Sequence, residues 1–353
     1  MSSAQQVTAA AVQATPVFLD REATTAKACD LIDEAAGKGA GLICFPEAFI
    51  PTYPEWAWRR PPWSDSDLFP LLLENSVSVP GKATESLGRA AARAEAYVTI
   101  GINERADKGS TIYNTLLFFG PDGALLGKHR KLMPTGAERL VWGTGDGSTL
   151  RVYETPFGRL GGLICWENYM PLARSSLYAQ GIDIYVAPTW DTSDVWVPTL
   201  RHIAKEGRIY VIGICCVLRE SDVPSSVPGR DELYPSDDWM ARGLSTIVGP
   251  DGEVVAGPLI EEEGILVAKL NANRARASRQ QFDPVGHYAR PDVFHLQVDA
   301  RPKPAVTFSY GPMAATEVDL DVPEDGRSGQ ADPRYGDDGA VQQQVQLIRG
   351  EEL

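Results

Sequence analysis

Near-continuous apolar runs punctuate the chain at Val7 to Gln13, Leu42 to Phe45, Tyr97 to Ile102, Leu160 to Cys165, Ile182 to Ala187 and Tyr210 to Val217. Runs of that length without a polar alternation predict strands buried on both faces. Between them, Arg21 to Gly37, Ala83 to Ala96, Pro171 to Gln180 and Pro198 to Gly207 carry helical patterns with Gly or Pro near most of their ends. Strands alternating with helices indicate an α/β architecture. Two segments depart from the alternation in the same way. Asn114 to Phe119 and Ala124 to Leu126 flank Gly120-Pro121-Asp122-Gly123, and Ser245 to Val248 and Glu253 to Ala256 flank Gly249-Pro250-Asp251-Gly252. Both read as hairpins, so the sheet structure is expected to be mixed.

Beyond about residue 315 the pattern dissolves into Pro, Gly, Asp and Gln, a composition that buries too little apolar surface to offset chain entropy. The expected organisation is one large domain, 1–315, followed by an acidic, flexible tail, 316–353. The charge is distributed accordingly. From Thr316 onward ten acidic residues face three arginines, so −7 of the net −14 resides in the tail. An acidic chain without a basic cluster is a poor partner for nucleic acid. The longest apolar runs are far shorter than the roughly 20 residues of a membrane-spanning helix, and Met1 to Val7 lacks the basic flank and apolar stretch of a secretory leader. Five cysteines, Cys29, Cys44, Cys165, Cys215 and Cys216, form no paired metal hooks, which fits a reduced, cytoplasmic protein.

Among these cysteines Cys165 has the most reactive setting. It ends an apolar strand and precedes Trp166-Glu167-Asn168 and a helix that Pro171 can open, at the carboxyl edge where α/β folds place ligands. Spacing alone fits a buried inert thiol equally well. The four histidines, His129, His202, His287 and His295, carry no cysteine-protease signature. Glu47, following Leu42-Ile43-Cys44-Phe45-Pro46, offers another base, because burial at a strand end raises the proton affinity of a carboxylate. Taken singly, Glu47 also fits a loop carboxylate paired with an arginine, and Lys131 fits a solvated cation.

Three motifs in order remove much of that ambiguity. Ile43 to Phe49 (I-C-F-P-E-A-F), His129 to Thr135 (H-R-K-L-M-P-T) and Gly162 to Pro171 (G-L-I-C-W-E-N-Y-M-P) resemble the Glu, Lys and Cys motifs of the nitrilase superfamily. The likeness runs over roughly residues 7 to 310. Glu138 to Gly143 (E-R-L-V-W-G) and Asp283 to Asp292 (D-P-V-G-H-Y-A-R-P-D) resemble true nitrilases in particular.

The resemblance implies a four-layer α-β-β-α sandwich and hydrolysis of an organic nitrile to a carboxylic acid and ammonia, without metal or organic cofactor. It implies that Cys165 is the nucleophile, Glu47 the proton carrier and Lys131 the stabilising cation, with Glu138 holding Lys131 charged. Tyr53, Trp142, Trp166 and Tyr169 would face the substrate, and Thr189 and Trp190, after the strand at Ile182 to Ala187, would extend that wall. Glu167 is read as a supporting carboxylate. Family members pair into dimers and extend into higher homo-oligomers or spirals. Competing readings are an amidase or carbamoyl-type hydrolase, a cyanide hydratase or dihydratase, and a non-catalytic assembly protein acting through its acidic tail.

Overall fold

The protein is described from a computed structural model covering residues 6–61, 63, 67–304 and 306–307. The expected tail, 316–353, lies outside the described residues. In chain order the strands are β1 (Val7–Gln13), β2 (Leu42–Cys44), β3 (Tyr97–Arg105), β4 (Ile112–Phe119), β5 (Leu125–Arg130), β6 (Tyr153–Thr155), β7 (Gly158–Gly162), β8 (Ile184–Thr189), β9 (Tyr210–Cys215), β10 (Val217–Arg219), β11 (Trp239–Val248), β12 (Val254–Ile260) and β13 (Gly264–Leu270). The helices that pack on them include α1 (Arg21–Gly37), α2 (Leu68–Asn75), α3 (Lys82–Ala94), α4 (Pro171–Ala179) and α5 (Trp196–Gly207).

Local chemistry sets the helix starts. The Asp20 carboxylate accepts the Ala23 amide at 2.8 Å to cap α1, and Pro171 occupies the first turn of α4, where its missing N–H costs nothing. The expected hairpins form. In each, the last glycine of the Gly-Pro-Asp-Gly turn has positive φ, +80° at Gly123 and +84° at Gly252. A side chain resists that conformation.

Two mixed sheets result, one in the order β13-β1-β2-β3-β4-β5 and the other β10-β11-β9-β8-β7-β6, with β12 on β11. Three apolar layers separate four layers of structure. Ala28, Ile32 and Ala35 of α1 and Leu87, Ala90 and Ala91 of α3 pack on Ala10, Ile43 and Ile100 of the first sheet. Leu177 of α4 and Leu200, Ile203 and Ala204 of α5 pack on Tyr185, Ala187 and Val211 of the second. Between the sheets lie Ala9, Leu42, Leu116, Ile184, Ile212 and Ile247, each large aliphatic contributing about 1.5–3 kcal/mol on burial. This is the α-β-β-α sandwich expected from the sequence.

Several boundaries differ from expectation, and two of them matter for the site. The strand expected at Leu160 to Cys165 is β7, ending at Gly162, and Cys165 starts a short 3₁₀ turn, Cys165–Tyr169, with φ +53°. Gly162 lies too close to the Val186 carbonyl to admit a side chain. The strand expected at Ile182 to Ala187 is β8, shifted two residues on. Asp183 is buried just before it, bound to Arg276 and to the amide of Arg159, and Thr189 closes it. Sequence patterning also missed the short edge strands β6 and β10, whose few residues carry no readable period.

Candidate active site

Glu47 leaves β2 on a loop held flush against the first sheet: the Phe45 amide donates to Thr99 O at 2.8 Å, and a side chain on Gly101 would run into the backbone of Pro46 and Glu47. Lys131 follows β5, its amide fixed on Asn114 O at 2.8 Å. Glu138 lies in the 3₁₀ turn Gly136–Leu140, where it accepts the Thr135 amide at 2.6 Å. Cys165 comes from the other sheet. Its left-handed backbone costs about 1–2 kcal/mol for a residue with a Cβ. The Asn168 side chain offsets this by donating to Leu163 O at 3.1 Å and Cys165 O at 2.7 Å, while Tyr185 donates to its Oδ1 at 2.7 Å.

These four side chains, scattered over the sequence, converge in one buried cluster. Lys131 Nζ donates to Glu47 Oε1 at 2.8 Å and Glu138 Oε2 at 2.7 Å, and all three side chains are at most 2% exposed. Asn114 Nδ2 adds a 2.7 Å bond to Glu47 Oε1 and the Trp190 amide a 2.7 Å bond to Oε2. Tyr53 Oη donates to Glu138 Oε1 at 2.7 Å. The arrangement places two carboxylates and a thiol around one ammonium.

That imbalance sets the protonation states. Burial raises the Glu47 pKa and the charge of Glu138 adds to it, while Lys131 opposes. Burial pulls the Lys131 ammonium down, but the charges of Glu47 and Glu138 outweigh it and hold the group above its ordinary value. Burial and the Glu47 charge push the Cys165 thiol well up. At rest the sulfur therefore keeps its proton beside a carboxylate suited to take it and a lysine that stays charged.

Glu167, next to Cys165, does not belong to this cluster. Its carboxylate accepts the Ile164 amide at 2.7 Å and the Leu132 amide at 2.6 Å, and faces His129 Nε2 at 3.0 Å. Burial opposes its charge, yet His129 and the two amides win and lower its pKa. Glu167 thus clasps the turn before Cys165 to the backbone after Lys131, the supporting role read from the sequence.

A cavity of about 240 Å³ opens over the cluster, lined by Tyr53, Glu55, Trp58, Thr135, Glu138, Cys165, Trp166, Trp190 and Asp191. Tyr53 stacks on Trp190 with ring centroids 4.5 Å apart, and Trp166 Nε1 donates to Asp191 Oδ2 at 2.8 Å. Tyr53, Trp166 and Trp190 stand where a substrate wall was expected. Trp142 does not line the cavity: it is buried edge-on behind Tyr53 with Nε1 on Asn103 Oδ1 at 2.8 Å. Tyr169 sits outside the lining too, edge-on to Trp166 and bonded to Thr199. The Thr189 hydroxyl points at the Cys165 sulfur, 3.1 Å away. Sequence reasoning missed Trp58, which donates to Tyr53 Oη at 3.0 Å and belongs to the aromatic run Tyr53-Pro54-Glu55-Trp56-Ala57-Trp58.

Among the described residues no group of three or more His, Cys, Asp or Glu side chains is arranged to hold a metal ion, and no helix is long and apolar enough to cross a membrane.

Comparison with known proteins agrees with this geometry. Residues 8–280 match the carbon-nitrogen hydrolase family. An aliphatic nitrilase of Sinorhizobium fredii (strain HH103) is 51% identical over 84% of this chain and 97% of its own. Nitrilase 2 of Arabidopsis thaliana is 44% identical over 87% of this chain and 93% of its own. The crystal structure of Saccharomyces cerevisiae Nit3, a member of branch 10 of the nitrilase superfamily, superposes with a TM-score of 0.65 at 22% identity, covering 82% of this chain and 98% of that one, a likeness of fold. With its fold, its motif order and relatives of this identity in agreement, the chain belongs to the carbon-nitrogen hydrolase family, in its nitrilase branch.

Proposed function

We propose that this protein hydrolyses an organic nitrile to the carboxylic acid and ammonia, with Cys165 as nucleophile, Glu47 as proton carrier and Lys131 as the cation that meets charge on nitrogen. The observation that carries the reading is Lys131 Nζ bridging Glu47 and Glu138 beneath the cavity that Cys165 lines. A nitrile carbon is a weak electrophile, so attack needs sulfur deprotonated at the moment of bonding and a fixed cation near the nitrogen.

In the first half, the S–C bond forms as the thiol proton passes to Glu47 and on to nitrogen, giving a thioimidate. Glu47 then takes a proton from an entering water, which adds to carbon, and returns it to nitrogen, giving a tetrahedral species; its hydroxyl proton passes to nitrogen by way of Glu47, C=O forms as C–N breaks, and ammonia leaves a thioester. A second water, activated the same way, releases the acid, and sulfur regains its proton. Two waters enter, and acid and ammonia depart. General acid-base help of this kind is worth roughly 10²- to 10⁴-fold. Glu138, fixed by Tyr53 and the Thr135 amide, keeps the ammonium oriented through both halves.

The aromatic walls at Tyr53, Trp58, Trp166 and Trp190 suit an apolar R group. The test is ammonia release from aliphatic and aryl nitriles set beside their amides and cyanide. Turnover of nitriles is the expected result, and release from amides alone rejects it.

The reading includes a homo-oligomer built on dimers. Its support is an open groove between α4 and the segment after Asp283, where Leu172 is 67% and Phe294 75% exposed. A monomer in sedimentation analysis would oppose this. It also includes a domain 1–315 with an acidic tail 316–353, and a reducing, cytoplasmic setting in keeping with five unpaired cysteines. Fractionation of the native host tests the last.

A further inference from the structure

Thr189 closes β8 with no solvent exposure. Its Oγ1 lies 3.1 Å from Cys165 Sγ and accepts the Asp191 amide at 2.9 Å. An amide hydrogen can only be donated, so it fills one lone pair of the hydroxyl and leaves the hydroxyl proton to turn toward sulfur. The Asp191 amide is itself held in place: the Asp191 carboxylate accepts Trp166 Nε1 at 2.8 Å and the Ser193 amide at 2.8 Å.

We propose that Thr189 is a catalytic residue, whose hydroxyl donates a hydrogen bond to the Cys165 sulfur whenever that sulfur carries negative charge. The inference rests on the reading of Cys165 as nucleophile and adds a group to its machinery. Sulfur needs such a donor because its surroundings oppose ionisation. Apart from burial, it faces the carboxylates of Glu47 and Glu138 and the neutral Tyr53, Tyr169 and Cys215, with Lys131 as the opposing cation.

The bond acts twice. As the S–C bond forms, the thiol proton goes to Glu47, and Thr189 spreads the charge left on sulfur. When the thioester breaks, the C–S electron pair returns to sulfur, Glu47 returns the proton, and Thr189 assists departure. Thr189 keeps its own proton throughout.

The test replaces the hydroxyl by a methyl group, Thr189→Val, with Thr189→Ala as a second hydroxyl-free variant and Thr189→Ser as the conservative one. The readout is the rate at which iodoacetamide alkylates Cys165 across pH, followed by mass spectrometry of the Cys165 peptide, alongside kcat and KM. Hydrogen bonds to a charged group correspond to about 10- to 100-fold. Both hydroxyl-free variants are expected to slow alkylation near neutral pH by that factor, move its midpoint to higher pH and lower kcat with KM little changed, and Thr189→Ser to restore the parental behaviour. A parental alkylation profile in Thr189→Val and Thr189→Ala overturns the inference, as does a serine variant as slow as they are, which would assign the effect to packing. Alkylation needs no nitrile, so failure of nitrile turnover in the unaltered protein, with the Thr189 effect present, would reject the nitrilase reading and leave this one standing.

Discussion

Two buried glutamates, Glu104 on the first sheet and Glu47 on the loop beside it, respond to burial in opposite ways. Glu104 on β3 receives Arg130 through two bonds, at 2.9 and 2.7 Å, the Thr115 hydroxyl at 2.8 Å, and Lys128. Burial opposes its charge, but the two cations outweigh it and the carboxyl is held below the ordinary range. Glu47 has the same chemistry and similar burial, yet shares a single ammonium with Glu138 and rises instead. The cations involved are neighbours in sequence, Lys128, Arg130 and Lys131. The ratio of cations to carboxylates, two to one against one to two, separates a carboxylate locked in its charged form from one free to exchange a proton.

Four experiments break or sharpen that contrast. The largest effect is expected from Cys165→Ala, which removes the proton donor that Glu47 serves: ammonia release should fall roughly 10⁴- to 10⁶-fold while circular dichroism and melting stay close to the parent. Undiminished release would refute the nucleophile. Lys131→Ala empties the shared cation position and should lower kcat by about 10²- to 10³-fold with substrate still bound. Near-normal kcat with only a raised KM would contradict a role in charge development.

Glu104→Gln should do the reverse, costing about 2 kcal/mol of stability at neutral pH with kcat unchanged per folded molecule. Because the Glu104 pKa is depressed, its contribution is present above the unfolded value near 4.5 and fades as pH falls through the folded one, so the Tm gap to the parent should close in acid. A gap that persists there would argue against the charge account. The smallest effect is in the pH profile. Glu47 must be ionised to take a proton and its pKa is raised, so the acid limb of kcat/KM should lie above 4.5. Glu138→Gln removes a like charge and should move that limb to lower pH; an upward move would invert the electrostatic ordering.

Much of this cluster was legible in the sequence because Glu47, Lys131 and Cys165 lie near strand ends inside motifs that resemble those of the nitrilase superfamily, while Glu138, in a 3₁₀ turn, was matched by that resemblance alone. The two Gly-Pro-Asp-Gly turns exposed the mixed sheets. Contacts that depend on how the two sheets meet could not. The Trp190 amide on Glu47 and His129 on Glu167 join segments of the two sheets that lie far apart in the chain, and no local pattern encodes their pairing. Thr189 was expected in the pocket wall, after a strand ending at Ala187; it is instead the terminal residue of β8, with its hydroxyl 3.1 Å from the Cys165 sulfur. Trp142 shows the limit of reasoning from residue type. A large aromatic near the site is read equally well as wall or as packing, and Trp142, with its indole N–H on Asn103, stands off the cavity lining.

The bare Cα of Gly101 has a consequence for any attempt to reshape this enzyme. With strand backbone pressed directly against the segment carrying Glu47, that flank has no slack, and even a methyl group there would displace Glu47. Accommodation of bulkier molecules therefore falls to the exposed part of the cavity lining, where Trp58 and Trp166 are half-exposed.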